Sequence, residues 1–133
     1  MTGIDTNVLV RYLTQDDPRQ SRRASAFVAE AASGGERLFI SAVVLCELVW
    51  VLHGAYSFDR RTISMALERI LATAQLEIDQ KDVVREALED YRTGGGDFAD
   101  YVIGRQGREV GCEKTATFDR RLKASALFRV LSA

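Results

Sequence analysis

Short β-prone apolar runs alternate with amphipathic helical stretches along this chain, and that alternation restricts it to very few folds. Residues 3–4, 38–40, 76–78, 114–118 and 128–131 read as brief strands. Between them lie segments with helical spacing, such as Ile63, Leu67, Ile70 and Leu71, and then Val83, Val84, Ala87, Leu88 and Tyr91. Helix starts are marked by Asp17 ahead of Pro18, by Ser41 and by Asp59; helix ends are marked by Gly34 with Gly35, by Gly54, and by Gly94, Gly95 and Gly96. Strands separated by helices of about 10 to 15 residues imply an α/β protein with a parallel sheet covered on both faces. No linker, repeat or low-complexity tract interrupts the pattern, so residues 1–133 are expected to form a single domain.

Composition removes several function classes. No apolar run approaches the ~20 residues of a membrane-spanning helix. The start lacks a basic segment followed by an apolar one, since Asp5 already intervenes, and a cytoplasmic location is expected. Cys46 and Cys112 stand alone beside the single histidine, His53, which excludes a zinc or dithiol motif and leaves both cysteines as expected small buried apolar residues. His53 sits at an expected helix end, where it complements the dipole. The net charge of −1 carries no basic surplus, yet 15 of the 18 basic residues are arginine, a composition that permits phosphate contacts.

The acidic residues are more informative. In an open α/β sheet, binding sites lie beyond the carboxyl ends of the strands. Asp5 follows the first strand, Asp119 follows the fourth, and Asp97 and Asp100 open a helix. Each is also a position where an acid caps a helix or complements its dipole, and capping alone accounts for any one of them. Glu47 differs. Its helical neighbours are Val43, Val44, Trp50 and Val51, so it is expected on an apolar face, poorly solvated and in need of a compensating cation. A structural ion pair with arginine satisfies that need; so does a divalent ion, because carboxylates gathered in one crevice repel unless hard cations such as Mg²⁺ or Mn²⁺ bridge them.

Four segments carry a resemblance to a known family: DTNVLVRYL at 5–13, FISAVVLCELVWVL at 39–52, DFADYVIG at 97–104 and TATFDRRL at 115–122. In this order they resemble the four acidic motifs of PIN-domain ribonucleases, and within these the VapC-type toxins of toxin-antitoxin pairs. The resemblance implies a three-layer α/β/α sandwich around a parallel sheet, and Mg²⁺- or Mn²⁺-dependent cleavage of RNA. By position, it implies metal-binding roles for Asp5 and Asp100, with Glu47 and Asp119 completing a catalytic set of four and Thr6, Asp97 and Thr117 in support. It also implies an antitoxin partner and a homodimer. Tyr101, where a small residue is expected, and Gly104 with Arg105, in place of an alanine-rich stretch, depart from the pattern.

Arg105, Arg108, Arg120 and Arg121 lie close in sequence to Asp100 and Asp119, as candidates for guiding an RNA backbone or as solvated surface. Two other acid-and-magnesium architectures fit poorly. A receiver domain needs an aspartate where the strand at 38–40 runs into Ser41, and a haloacid-dehalogenase-like phosphatase needs a second aspartate where Asn7 stands. The remaining alternative is a non-catalytic PIN module that binds RNA or protein, although such modules often lack acids that this chain retains.

Overall fold

The computed structural model describes every residue from Met1 to Ala133, and the chain gathers into two compact units, residues 1–79 and 80–133. In the first unit β1 (Thr2–Gly3), β2 (Leu38–Ile40) and β3 (Leu76–Ile78) form a parallel sheet in that order, with Thr2 beside Leu38 and Phe39 beside Glu77. Parallel neighbours require long connections. These are supplied by α1 (Thr6–Thr14) and α2 (Pro18–Ser33) before β2, and by α3 (Ala42–Gly54) and α4 (Arg60–Leu71) before β3. Leu38, Ile40, Leu76 and Ile78 are buried in the sheet, and Leu45, Leu48 and Leu52 of α3 with Ile63 and Leu67 of α4 complete the core.

Three of the expected caps are made. Asp17 accepts from the N–H of Gln20 at 2.9 Å, Ser41 from that of Val44 at 3.1 Å and Asp59 from that of Thr62 at 2.8 Å. Each satisfies a donor that the first helical turn leaves without an intrahelical partner.

The second unit contains α5 (Lys81–Thr93), α6 (Phe98–Glu109), β4 (Thr115–Thr117), a 3-10 helix (Arg120–Leu122) and β5 (Phe128–Val130). Strands β4 and β5 pair in parallel, Thr115 beside Phe128, apart from the three-stranded sheet. Tyr91 of α5 meets Phe98 of α6 edge to face, with ring centroids 6.0 Å apart. Gly104 lets β5 approach α6, because a Cβ there would come within 2.9 Å of the Phe128 ring.

One expectation is met for a different physical reason and another needs correction. The glycine run ends α5 at Thr93 as expected, but not through a left-handed residue, since Gly94 is extended at φ −93°. A Cβ on Gly94 would overlap the Tyr101 hydroxyl and one on Gly96 would overlap Leu122, so the glycines make room for a buried tyrosine. The family departure at Tyr101 and the glycine run are thus two halves of one packing solution. Nor are both cysteines buried. Cys46 is partly covered, but Cys112 is exposed, because it falls in the turn after α6, just past Gly111 at φ +100°.

The α/β class and the parallel pairing expected from the sequence are both present. No helix is long and apolar enough to cross a membrane.

Candidate functional site

In the first unit Asp5 ends the β1 edge and sits at the N-cap of α1, where its Oδ1 accepts from the Thr6 N–H at 2.8 Å. The next side chain reaches across to α3, with Thr6 Oγ1 donating to Glu47 Oε1 at 2.9 Å. Asp5, Thr6 and Glu47, 42 residues apart at their extremes, therefore form one local group through a strand-to-helix junction and a helix packed against it. Thr6, expected in a supporting role, thus makes a hydrogen bond to one of the four motif acids.

Glu47 is placed differently from expectation. It is exposed, and so are two of the neighbours that made its helical face apolar, Val43 at 68% and Trp50 at 74% relative exposure. Helical spacing established that these residues share a face; it did not establish that the face is buried. The core of α3 is instead built on Leu45, Leu48, Val49 and Leu52. No buried ion pair is needed, and a solvated carboxylate remains available to a ligand.

In the second unit three acids meet a single cation. Arg121 donates from Nη2 to Asp119 Oδ2 at 2.7 Å and from Nε to both Asp119 oxygens at 3.1 Å; its two terminal nitrogens lie 3.4 Å from the Asp97 oxygens, and Nη2 lies 3.9 Å from Asp100 Oδ2. Asp119 is fixed further. It caps the 3-10 helix by accepting from the Arg121 N–H at 2.9 Å, and its own N–H donates to Thr117 Oγ1 at 3.0 Å. Thr117 therefore anchors the backbone at Asp119, whereas Thr6 holds the carboxylate of Glu47 itself. Hydrogen bonding from Arg121 holds the Asp119 carboxyl below the usual range, and the Arg121 guanidinium is raised in turn, first by Asp119 and then by Asp97.

Asp97 occupies the N-cap of α6, and its N–H donates to Asp100 Oδ2 at 2.9 Å. Asp100 therefore has a capping role of its own as well as an oxygen left over. The bland and the chemical readings of these acids coexist, because a cap uses one of the two carboxylate oxygens.

The remaining arginines divide. Arg105 is committed to the fold, forking onto Asp90 at 2.8 and 2.9 Å and touching Glu86 at 3.2 Å, which ties α6 to α5. Arg108 donates to the carbonyls of Glu113 and Ala126 at 3.3 Å, and Arg120 is exposed. Arg121 is the residue whose role sequence reasoning missed, having been considered for RNA and not for the acids. The signal for it was its position two residues after Asp119 on a tight turn.

All the candidate donors are carboxylate oxygens, the hard ligands that Mg²⁺ and Mn²⁺ prefer, so the chemistry of the set fits such an ion. No three of the acids stand together at metal-ligand spacing.

A PIN domain profile matches residues 4–126, from just before Asp5 to just after Asp119, through both units. The chain belongs to the PIN domain family. It is also 29% identical over 123 residues to the VapC ribonuclease of Aquifex aeolicus (strain VF5), covering 92% of this chain and 90% of that protein. The PIN match embraces all four acidic positions, Asp5, Glu47, Asp100 and Asp119.

Proposed function

We propose that residues 1–133 form one PIN domain acting as a Mg²⁺- or Mn²⁺-dependent endoribonuclease, the toxin of a toxin-antitoxin pair. The observation that carries the reading is that motif threonines hold two of the four motif acids: the Thr6 hydroxyl of the first motif donates to the Glu47 carboxylate of the second at 2.9 Å, and Thr117 anchors the backbone N–H of Asp119 within their shared motif at 3.0 Å. Structural caps do not require such support. Acids whose orientation matters for chemistry do, because catalysis by positioned charge is lost when the charge wanders. The likeness to a VapC ribonuclease over nine-tenths of both chains supports the same reading.

In this reading Asp5 and Asp100 hold the ion, and Glu47 and Asp119 complete the acidic set. When bound, the ion supplies charge neutralisation at the scissile phosphate and activation of water near neutral pH. The chain's own contribution is to position the acids: Thr6 directs Glu47, Thr117 fixes the backbone beneath Asp119, and the α6 cap sets the direction of Asp100. The RNA substrate, a cognate antitoxin, a homodimeric state and a cytoplasmic location belong to the same proposal.

The decisive test is cleavage of a mixed RNA pool by protein purified free of host nucleases, with Mg²⁺, with Mn²⁺ and with excess chelator. Cleavage that requires an ion and disappears in Asp100→Asn is expected; robust cleavage in chelator overturns the metal assignment. Expression without an antitoxin is expected to arrest growth, and harmless accumulation of active protein would count against the toxin role.

A further inference from the structure

We infer that Arg121 is a built-in counter-ion of the acidic cluster, one that a divalent cation must displace, so that this residue sets the cation affinity of the site. The inference rests on the metal-dependent reading above and deepens it. Three acids of the second unit converge on one guanidinium, with Asp119 at 2.7 Å, Asp97 at 3.4 Å and Asp100 at 3.9 Å. All three acids face one nitrogen, Nη2, with Asp119 Oδ2 at 2.7 Å, Asp97 Oδ2 at 3.4 Å and Asp100 Oδ2 at 3.9 Å. A positive group therefore already stands where repulsion among these acids has to be neutralised. This explains how carboxylates of suitable chemistry are gathered without standing at metal-ligand spacing.

Displacement is physically accessible. Arg121 is 53% exposed, so its ion pairs are screened and each is worth little compared with a buried one. The side chain also has somewhere to go. It lines a cavity of about 300 Å³ with Arg108, Ser125 and the carbonyl-bearing stretch at Ala126, beside the Arg105 to Asp90 clamp. Its backbone stays in place meanwhile, since the Arg121 N–H is bound to Asp119 Oδ1 at 2.9 Å. The chain thus carries a cation that stabilises the acids in the absence of metal and withdraws without unfolding the turn.

The expected size follows from charge. Binding of the ion to the wild type must break the exposed pairs of Arg121 with Asp119, Asp97 and Asp100, each worth about two- to threefold, so Arg121→Gln should tighten binding of the ion by roughly 10- to 30-fold. The test is calorimetric titration of the full chain with MnCl₂, for wild type, Arg121→Gln, Arg121→Lys and Asp100→Asn, alongside melting temperatures in excess chelator. Tighter Mn²⁺ binding by Arg121→Gln with a lower melting temperature in chelator, and an intermediate affinity for Arg121→Lys, which keeps the charge but loses the planar fork, are expected. Wild-type binding that Arg121→Gln leaves equal or weakens overturns the inference while the metal reading stands. No Mn²⁺ binding by any variant overturns both, and if the glutamine variant does not fold, Arg121→Lys binding no more tightly than wild type is sufficient to refute it.

Discussion

Replacing Arg105 with alanine tests whether this arginine serves the fold or the RNA. Its guanidinium donates from Nε and Nη2 to the two oxygens of Asp90 at 2.8 and 2.9 Å, with the Arg105 and Asp90 side chains only 26% and 21% exposed. Hydrogen bonding to Asp90 is also the leading cause of the upward shift of the guanidinium pKa. Exposed ion pairs contribute about 0.2–1 kcal/mol, and breaking a buried one costs about 3–5 kcal/mol. A forked, three-quarters-buried pair with a further contact to Glu86 at 3.2 Å falls between, so Arg105→Ala should cost about 1–3 kcal/mol. For a domain of this size that lowers the melting temperature by roughly 5–10 °C. The double-mutant cycle with Asp90→Ala, measured by urea unfolding, should show a coupling of about 1–2 kcal/mol. Arg105→Lys keeps the charge but not the fork, and should recover less than half of the loss. A coupling below about 0.3 kcal/mol, or a variant of full stability that has lost RNA cleavage, would refute the structural assignment and return Arg105 to the RNA-binding surface.

Asp100→Asn is expected to abolish cleavage with little change in melting temperature, because an amide oxygen can still accept from the Asp97 N–H now bound at 2.9 Å; Asp97→Asn should retain substantial cleavage, and equal loss in both variants would place Asp97 in the essential set. Thr6→Val removes the hydroxyl that donates to Glu47 and should lower cleavage severalfold at unchanged stability, with Thr6→Ser restoring it; an inactive serine variant would show that the hydroxyl is not what matters. Hydrogen bonds from Tyr56 and then Thr14, outweighing a smaller desolvation, hold the Asp16 carboxyl down at about 2 from an ordinary 3.8, so this group stabilises the native state above about pH 4 and ceases to do so as pH falls towards 2. The gap in melting temperature between wild type and Tyr56→Phe should therefore be steady near neutrality and narrow across that acidic window, and a gap independent of pH would exclude Asp16 as its source.

Much of this protein is legible locally. Helix starts at Asp17, Ser41 and Asp59 depend on one side chain reaching an N–H three residues on, a relation contained within four consecutive residues. The strand runs and their alternation with helices likewise lie in the local pattern, as do the four acidic segments. The tertiary structure decided what local pattern cannot express. Helical spacing placed Glu47, Val43 and Trp50 on one face, but whether another element covers that face depends on packing, and none does: all three are exposed. The glycine run read as a stop signal, yet its reason is steric, namely the buried Tyr101 that it accommodates. The partners of arginines were beyond reach for the same reason. Arg105 and Arg121 are alike in sequence terms, each a few residues from a motif aspartate, but a long flexible side chain chooses its carboxylate only once the fold has brought candidates within about 4 Å. One then clamps two helices through Asp90, and the other stands among Asp97, Asp100 and Asp119.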